Sequence, residues 1–287
     1  MRREREREGW AGTAMSTGFG SGLHAAPGRA VDTSAYDRYL GRWSRLFVPA
    51  LIAAAEVSAG HRVLDVATGP GEAALMTLPV VGPSGVVIGA DISPAMLEAA
   101  RGRLGDPSFL PVAADGQALP FPDSSFDAVT CQLGLQFFPD PTVGLMEFRR
   151  VLRTGGCAAV CVNPSADRVP MWGILADVLS RYLPEQRDVF QLSFALADTE
   201  RLGRLFAGAG FQSIHVERET REGTIDSIED YWEPIETGVG SMPQAHVALS
   251  ETDRRAVRAE VTAGLAQFES NGRLVLSVEM LIARGRA

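Results

Sequence analysis

From His61 to Pro164 the sequence alternates between short apolar runs and segments of helical period, and this rhythm constrains the fold more than any other feature. HRVLDVAT, GVVIGADI, FLPVAAD, SFDAVTCQLG and CAAVCVNP read as five strands, each bounded by Gly, Pro, Ser or Asp. Between them GEAALMTLPVV, SPAMLEAARGRL and PTVGLMEFRRVLRTGG read as helices. Ser93 suits the N-cap of the second helix, with Pro94 in its first turn, and the glycine pair is expected to close the third. Near-continuous apolar strands separated by helices predict an α/β fold: a doubly wound, mostly parallel sheet covered on both faces.

The flanks read differently. Residues 1–30 combine an Arg/Glu run with a Gly-rich stretch lacking periodicity and are expected to be disordered; Met15 offers an alternative start. Residues 31–60 read as a helical lid, because Tyr36, Tyr39, Leu40, Trp43, Leu46, Phe47 and Leu51 recur near a helical period. Residues 61–164 form the core of alternating elements. In 165–287 a further helix (TERLGRLFAGAG) and two strands (FQSIHVERET and RLVLSVEMLIARG) complete the sheet, while 165–197 and 224–271 interrupt it as helical cap insertions suited to holding a substrate.

Charge and composition narrow the partners. The net charge of −8 gives no basic footprint for nucleic acid. All 27 basic residues are arginine, which points to a GC-rich genome rather than to a function. Cys131, Cys157 and Cys161 sit in apolar strand-like runs and read as small core residues; with no secretory signal they indicate a reducing cytoplasm. No run approaches the roughly eighteen apolar residues of a membrane span, and no metal-ligand spacing is present.

The stretch VLDVATGPGEAAL carries the ligand signal. Gly69, Gly71 and Ala74 match G-x-G-x-x-G/A, and Asp91 ends the second strand, where a carboxylate accepts ribose hydroxyls. Both features also suit a dinucleotide. Asp65, however, stands before the glycine turn, where a carboxylate would repel a pyrophosphate and attract a cationic group. Asp115, at the end of the third strand, can accept an exocyclic amine, with the amides of Gly116 and Gln117 near the ring. An adenosine bearing a charged amino-acid tail fits this set better than NAD. The absence of lysine also removes the Tyr-x-x-x-Lys pair expected of an NAD-dependent oxidoreductase, the rival reading.

With VLDVATGPGEAAL, GADISPAMLEAAR, AADGQALPFPDSSFDAVTCQLGLQFFPDP and EFRRVLRTGG in this order over residues 63–156, the chain resembles the class I S-adenosylmethionine-dependent methyltransferases, in particular the ubiquinone/menaquinone-methylase-like, type 11 branch. YDRYLGRWS resembles the N-terminal lid of some members, whereas Ala67-Thr68 and Gln136-Phe137 depart from common family residues. The resemblance implies a Rossmann-like sheet of seven strands in the order 3-2-1-4-5-7-6. It implies that Asp65 and the Ala67, Thr68, Gly69 and Gly71 turn hold the methionine end of S-adenosyl-L-methionine. Asp91 takes the ribose diol, Ile92 and Met96 flank the adenine, and Asp115, Gly116 and Gln117 read its edge. Gln132, Leu133 and Gly134 line the methionyl side, and Tyr36 and Tyr39 close over the cofactor.

The implied reaction carries methyl to a small organic acceptor, expected to be an apolar or aromatic natural-product or quinone-like intermediate, and leaves S-adenosyl-L-homocysteine. Alignment of the acceptor supplies much of such catalysis. A general base is unassigned; His246, Tyr231 and Glu236 in the cap are candidates. The cap aromatics Trp172, Phe190, Phe194, Tyr231 and Trp232 could line an apolar pocket or serve as ordinary core, and apolar cap surface could equally serve a homodimer. A protein of this fold could also catalyse a rearrangement or cyclisation without methyl transfer, since fold does not fix function.

Overall fold

The structure, a computed structural model, describes residues 32–287, so the tail expected over 1–30 lies outside the described residues. The described chain begins with α1 (Thr33–Tyr36), a π-helical turn (Asp37–Gly41), α2 (Arg42–Ser44) and α3 (Val48–Ala54). The lid is therefore helical but broken between Ser44 and Val48. Pro49 suits the restart: a proline has no amide hydrogen and its ring crowds the carbonyl four residues back, so it fits best in a first turn, where it stands here.

The alternating elements follow as β1 (Arg62–Val66), α4 (Glu72–Val81), β2 (Val86–Asp91), α5 (Pro94–Leu104), β3 (Phe109–Ala113), β4 (Phe126–Gln132), α6 (Pro141–Val151) and β5 (Leu152–Val162). Ser93 caps α5 as expected, its hydroxyl accepting the Met96 amide. The glycine pair does not close α6. That helix ends at Val151, and Leu152 turns to extended backbone and pairs with Phe126, so Gly155 and Gly156 belong to β5. Then come α7 (Pro170–Tyr182), α8 (Arg187–Gln191), α9 (Thr199–Gly208), β6 (Gln212–Ile225), α10 (Ile228–Glu236), α11 (Ser241–Ala248), α12 (Glu251–Leu265), β7 (Glu269–Ser270) and β8 (Arg273–Arg286).

The sheet order is β3-β2-β1-β4-β5-β8-β6, with β7 paired to β8. This is the expected seven-strand order with one two-residue strand added at the hairpin tip. β3 through β5 run parallel, and β8 pairs antiparallel with both β5 and β6. Alternation along β1 sends Val63 into one apolar layer and Leu64 and Val66 into the other. The first layer joins the sheet to the lid, α7 and α10–α12; the second joins it to α6 and α9. The three cysteines are buried in these layers and unpaired.

Gly71 makes the first crossover close. Its φ is +85°, and a Cβ there would stand 2.4 Å from Leu104 Cδ1, so only glycine lets α4 begin against α5.

Candidate active site

β1, β2 and β4 end together: Val66 pairs with Ala90 on one side and Cys131 on the other. The carboxyl ends of parallel strands, where the strand order reverses, are where such sheets bind ligands. A cleft of about 240 Å³ opens there. Its floor comes from Val66, Ala67 and Gly69 after β1, from Asp91, Ile92, Ser93 and Met96 after β2, and from Gly116 after β3. Gln132, Leu133 and Gly134 follow from β4, and Tyr36 and Tyr39 of the lid border it above.

Asp91 organises one end. Its Oδ2 accepts the Gly69 amide at 2.8 Å, and its Oδ1 accepts the Ser93 amide at 2.9 Å. The two amides fix the orientation of this carboxylate at the cleft wall. The Tyr36 hydroxyl lies 3.6 Å from where a Cβ on Gly69 would stand. Burial, then the negative charge of Asp91, pushes the Tyr36 pKa up and keeps the phenol protonated.

The opposite wall is strained backbone. Ala67 and Leu133 hold φ values of +55° and +54°, in the left-handed region that costs a non-glycine residue about 1–3 kcal/mol. Beside them Gly134 approaches so closely that a Cβ would stand 2.4 Å from Ala67 Cβ. The two turns after β1 and β4 thus bring bare backbone to the cleft wall.

Five of the residues predicted to hold the ligand do not border the cleft: Asp65, Thr68, Gly71, Asp115 and Gln117. Asp65 is buried in the strand layer, where its carboxylate accepts the hydroxyls of Thr68 at 2.7 Å and Thr130 at 2.8 Å. Burial outweighs these two bonds and pushes its pKa up to about 6. Asp115 accepts the Gln117 amide at 2.8 Å in a local turn, and the Gln117 side chain turns away to accept the Asp140 amide. Gln132 borders the cleft while its side-chain amide donates to Ser44 O at 2.6 Å, tying β4 to the lid.

The three candidates for a general base are not brought to the cleft either. Tyr231 donates to Met171 O at 2.8 Å within the cap core. His246 is fully buried against Trp232, with Nε2 3.4 Å from Glu236 Oε1, and burial holds its pKa down. Glu236 also pairs with Arg258. These groups hold α10, α11 and α12 together. Of the cap aromatics, Trp172 borders the cleft; Phe190, Phe194, Tyr231 and Trp232 do not.

Sequence reasoning missed the far end of the cleft, where Gln136, Phe137, Asn163, Ser193 and Met242 meet Trp172. One signal was available. Asn163 is a polar residue directly after the apolar run of β5, at the carboxyl end of a parallel strand, as Asp91 is for β2.

Known proteins match this chain in sequence and in fold. The chain is 33% identical over 178 residues to the demethylmenaquinone methyltransferase of Staphylococcus carnosus, a match covering 58% of this chain and 73% of that one. It is 42% identical over 122 residues, 41% of this chain and 47% of the relative, to the ubiquinone/menaquinone biosynthesis C-methyltransferase UbiE of Xanthomonas campestris. Its fold matches Haemonchus contortus phosphoethanolamine N-methyltransferase 2, solved in complex with S-adenosyl-L-methionine, at a TM-score of 0.57 and 19% identity over 88% of this chain and 56% of that one. The sequence profile of the ubiE/COQ5 methyltransferases matches residues 41–226, well over half of the chain and the whole run from lid to β6, and the chain belongs to that family.

Proposed function

We propose that this protein transfers the methyl group of S-adenosyl-L-methionine to a small, apolar, quinone-like or aromatic acceptor and releases S-adenosyl-L-homocysteine. The observation that carries the reading is Asp91, a carboxylate at the end of β2 that two backbone amides hold on the cleft wall beside the glycine turn, where a ribose diol would lie. The backbone of Ala67, Gly69, Leu133 and Gly134 suits the amino-acid tail, and Ile92, Met96 and Gly116 suit the adenine. Asp65 acts from behind this wall, as a buried carboxylate favouring a nearby cation.

When bound, the cofactor supplies an electrophilic methyl group. The chain's own residues orient and enclose. Tyr36 and Tyr39 of the lid and Met242 of the cap line the cleft and shield a bound ligand from water, and Trp172 and Phe137 offer apolar faces to an acceptor ring. The quinone-related names of the relatives support an acceptor of this kind. The three free, buried cysteines support a reducing compartment.

Calorimetric titration with S-adenosyl-L-methionine, S-adenosyl-L-homocysteine and NADH tests the reading. Micromolar binding of the first two is expected. Binding of NADH alone would end it and return the glycine turn to a dinucleotide.

A further inference from the structure

Two cleft residues, Tyr39 and Asn163, carry buried polar atoms that have no hydrogen-bond partner among the described residues: Tyr39 Oη and Asn163 Oδ1. Asn163 is the more informative, because its side-chain amide is oriented by a partner of its own. Its Nδ2 donates to Ser193 O at 3.0 Å, and its backbone amide donates to Gln136 Oε1 at 3.0 Å. Turning the amide over would set two carbonyl oxygens against each other, so the unpaired atom is an acceptor. A buried carbonyl without a donor costs more than an ordinary hydrogen bond contributes. Such a cost recurs where a ligand supplies the missing group.

The surroundings define what that ligand is. Besides Asp91, the described cleft residues include no Asp, Glu, Arg or His, so an ionised acceptor would meet no counter-charge at the far end. Tyr39, whose phenol burial keeps protonated, packs its ring 6.5 Å from that of Trp172. Phe137 and Met242 complete an apolar surround. Resting on the methyl-transfer reading, we propose that Asn163 reads the acceptor: its side-chain carbonyl accepts a hydrogen bond from a neutral hydroxyl on a planar ring seated among Tyr39, Phe137, Trp172 and Met242. Asn163 is thus a positioning residue. It fixes which way the ring faces, and it selects against the same ring with its hydroxyl capped.

The test is binding of 1-naphthol and of 1-methoxynaphthalene to the full chain, with and without saturating S-adenosyl-L-homocysteine. Wild type is expected to prefer the naphthol about tenfold, which is about 1.4 kcal/mol. Asn163→Leu, which keeps the branched shape and removes the acceptor together with the donor to Ser193 O, is expected to lose that preference while still binding the ether. Thermal unfolding and S-adenosyl-L-homocysteine affinity show whether the variant is folded; if it is not, Asn163→Ala takes its place. Equal affinity of wild type for the two rings, no binding of either, or a preference that survives in a folded variant would each overturn the proposal. Failure of S-adenosyl-L-homocysteine to bind wild type would instead sink the methyl-transfer reading, while the naphthol preference would still report on Asn163.

Discussion

The carboxylate of Asp91 accepts the amide of Gly69 at 2.8 Å, so the end of β2 holds the glycine turn after β1 in shape. The same carboxylate is the one proposed to meet the ribose. Asp91→Asn keeps one oxygen acceptor and removes the charge. Calorimetry should show S-adenosyl-L-methionine affinity weakened by the ~1.5–3 kcal/mol expected of a hydrogen bond to a charged group. Unchanged affinity would place the ribose elsewhere.

Asp65 gives a pH signature. Its pKa is raised by burial from 3.8 to about 6, so the folded state holds its proton more tightly than the unfolded state does. The contribution favours folding below the unfolded value and is lost as pH rises from 3.8 to about 6. A rise of this size corresponds to about 3 kcal/mol. Denaturant titrations of wild type and Asp65→Asn between pH 4 and pH 7 should show the variant gaining on wild type by up to that amount. A constant difference across the range would show Asp65 ionised throughout.

Arg103 is the bolt between lid and core. Its guanidinium pairs with Asp37 of the π-helical turn at 3.0 Å and with Glu72 at the start of α4 at 3.0 Å. Arg45 approaches the same glutamate at 3.7 Å. Arg103→Ala leaves the mostly buried Glu72 with the weaker partner, and thermal unfolding should register a loss of about 1–3 kcal/mol. Hydrogen exchange over residues 33–47 should quicken at the same time; protection equal to wild type would show that the lid is held by its apolar face alone.

His246 separates structure from catalysis. It sits in the cap core beside Trp232, away from the cleft, so His246→Ala should destabilise the chain by about 2–4 kcal/mol through the cavity it leaves. Turnover per folded molecule should stay at the wild-type level. Because burial lowers its pKa below 6.5, the stability it contributes is complete above that pH and declines as pH falls beneath it. A variant that folds normally and loses turnover would restore His246 as a general base.

What the sequence showed and what it hid divide along a physical line. Strands β1 to β5 were legible because buried parallel strands need unbroken apolar runs, and Asp91 was legible because it ends such a run 20 residues after Gly71. The lid was read as one helix because its apolar period persists across residues 45–47, although the α-helix stops at Ser44 and restarts at Val48 with Pro49 in its first turn. Asp115 and Gln117 have the right residue types at the right strand end. In the structure Asp115 accepts the nearby Gln117 amide and the Gln117 side chain accepts the distant Asp140 amide, pairings that no spacing reveals. His246, Tyr231 and Glu236 were plausible as chemistry until the packing of α10 against α11 and α7 supplied their partners. Asn163 was the reverse case: one polar letter after an apolar strand, whose meaning depends on Ser193 and Gln136, distant in sequence and adjacent in space.

The long β6–β8 hairpin has a consequence of its own. Ile225 and Leu274 are cross-strand partners, and an Asp226–Arg273 ion pair follows them, so α10, α11 and α12 leave and rejoin the sheet at a single doorway. Whatever this excursion contains, β6 and β8 close beneath it in the same register, and the turns that carry Asp91 and Gly69 lie far from the seam in sequence. The excursion between Ile225 and Leu274 is therefore hinged at one point of the sheet, and a change in its length leaves the strand register beneath it, and the turns of Gly69 and Asp91, where they are.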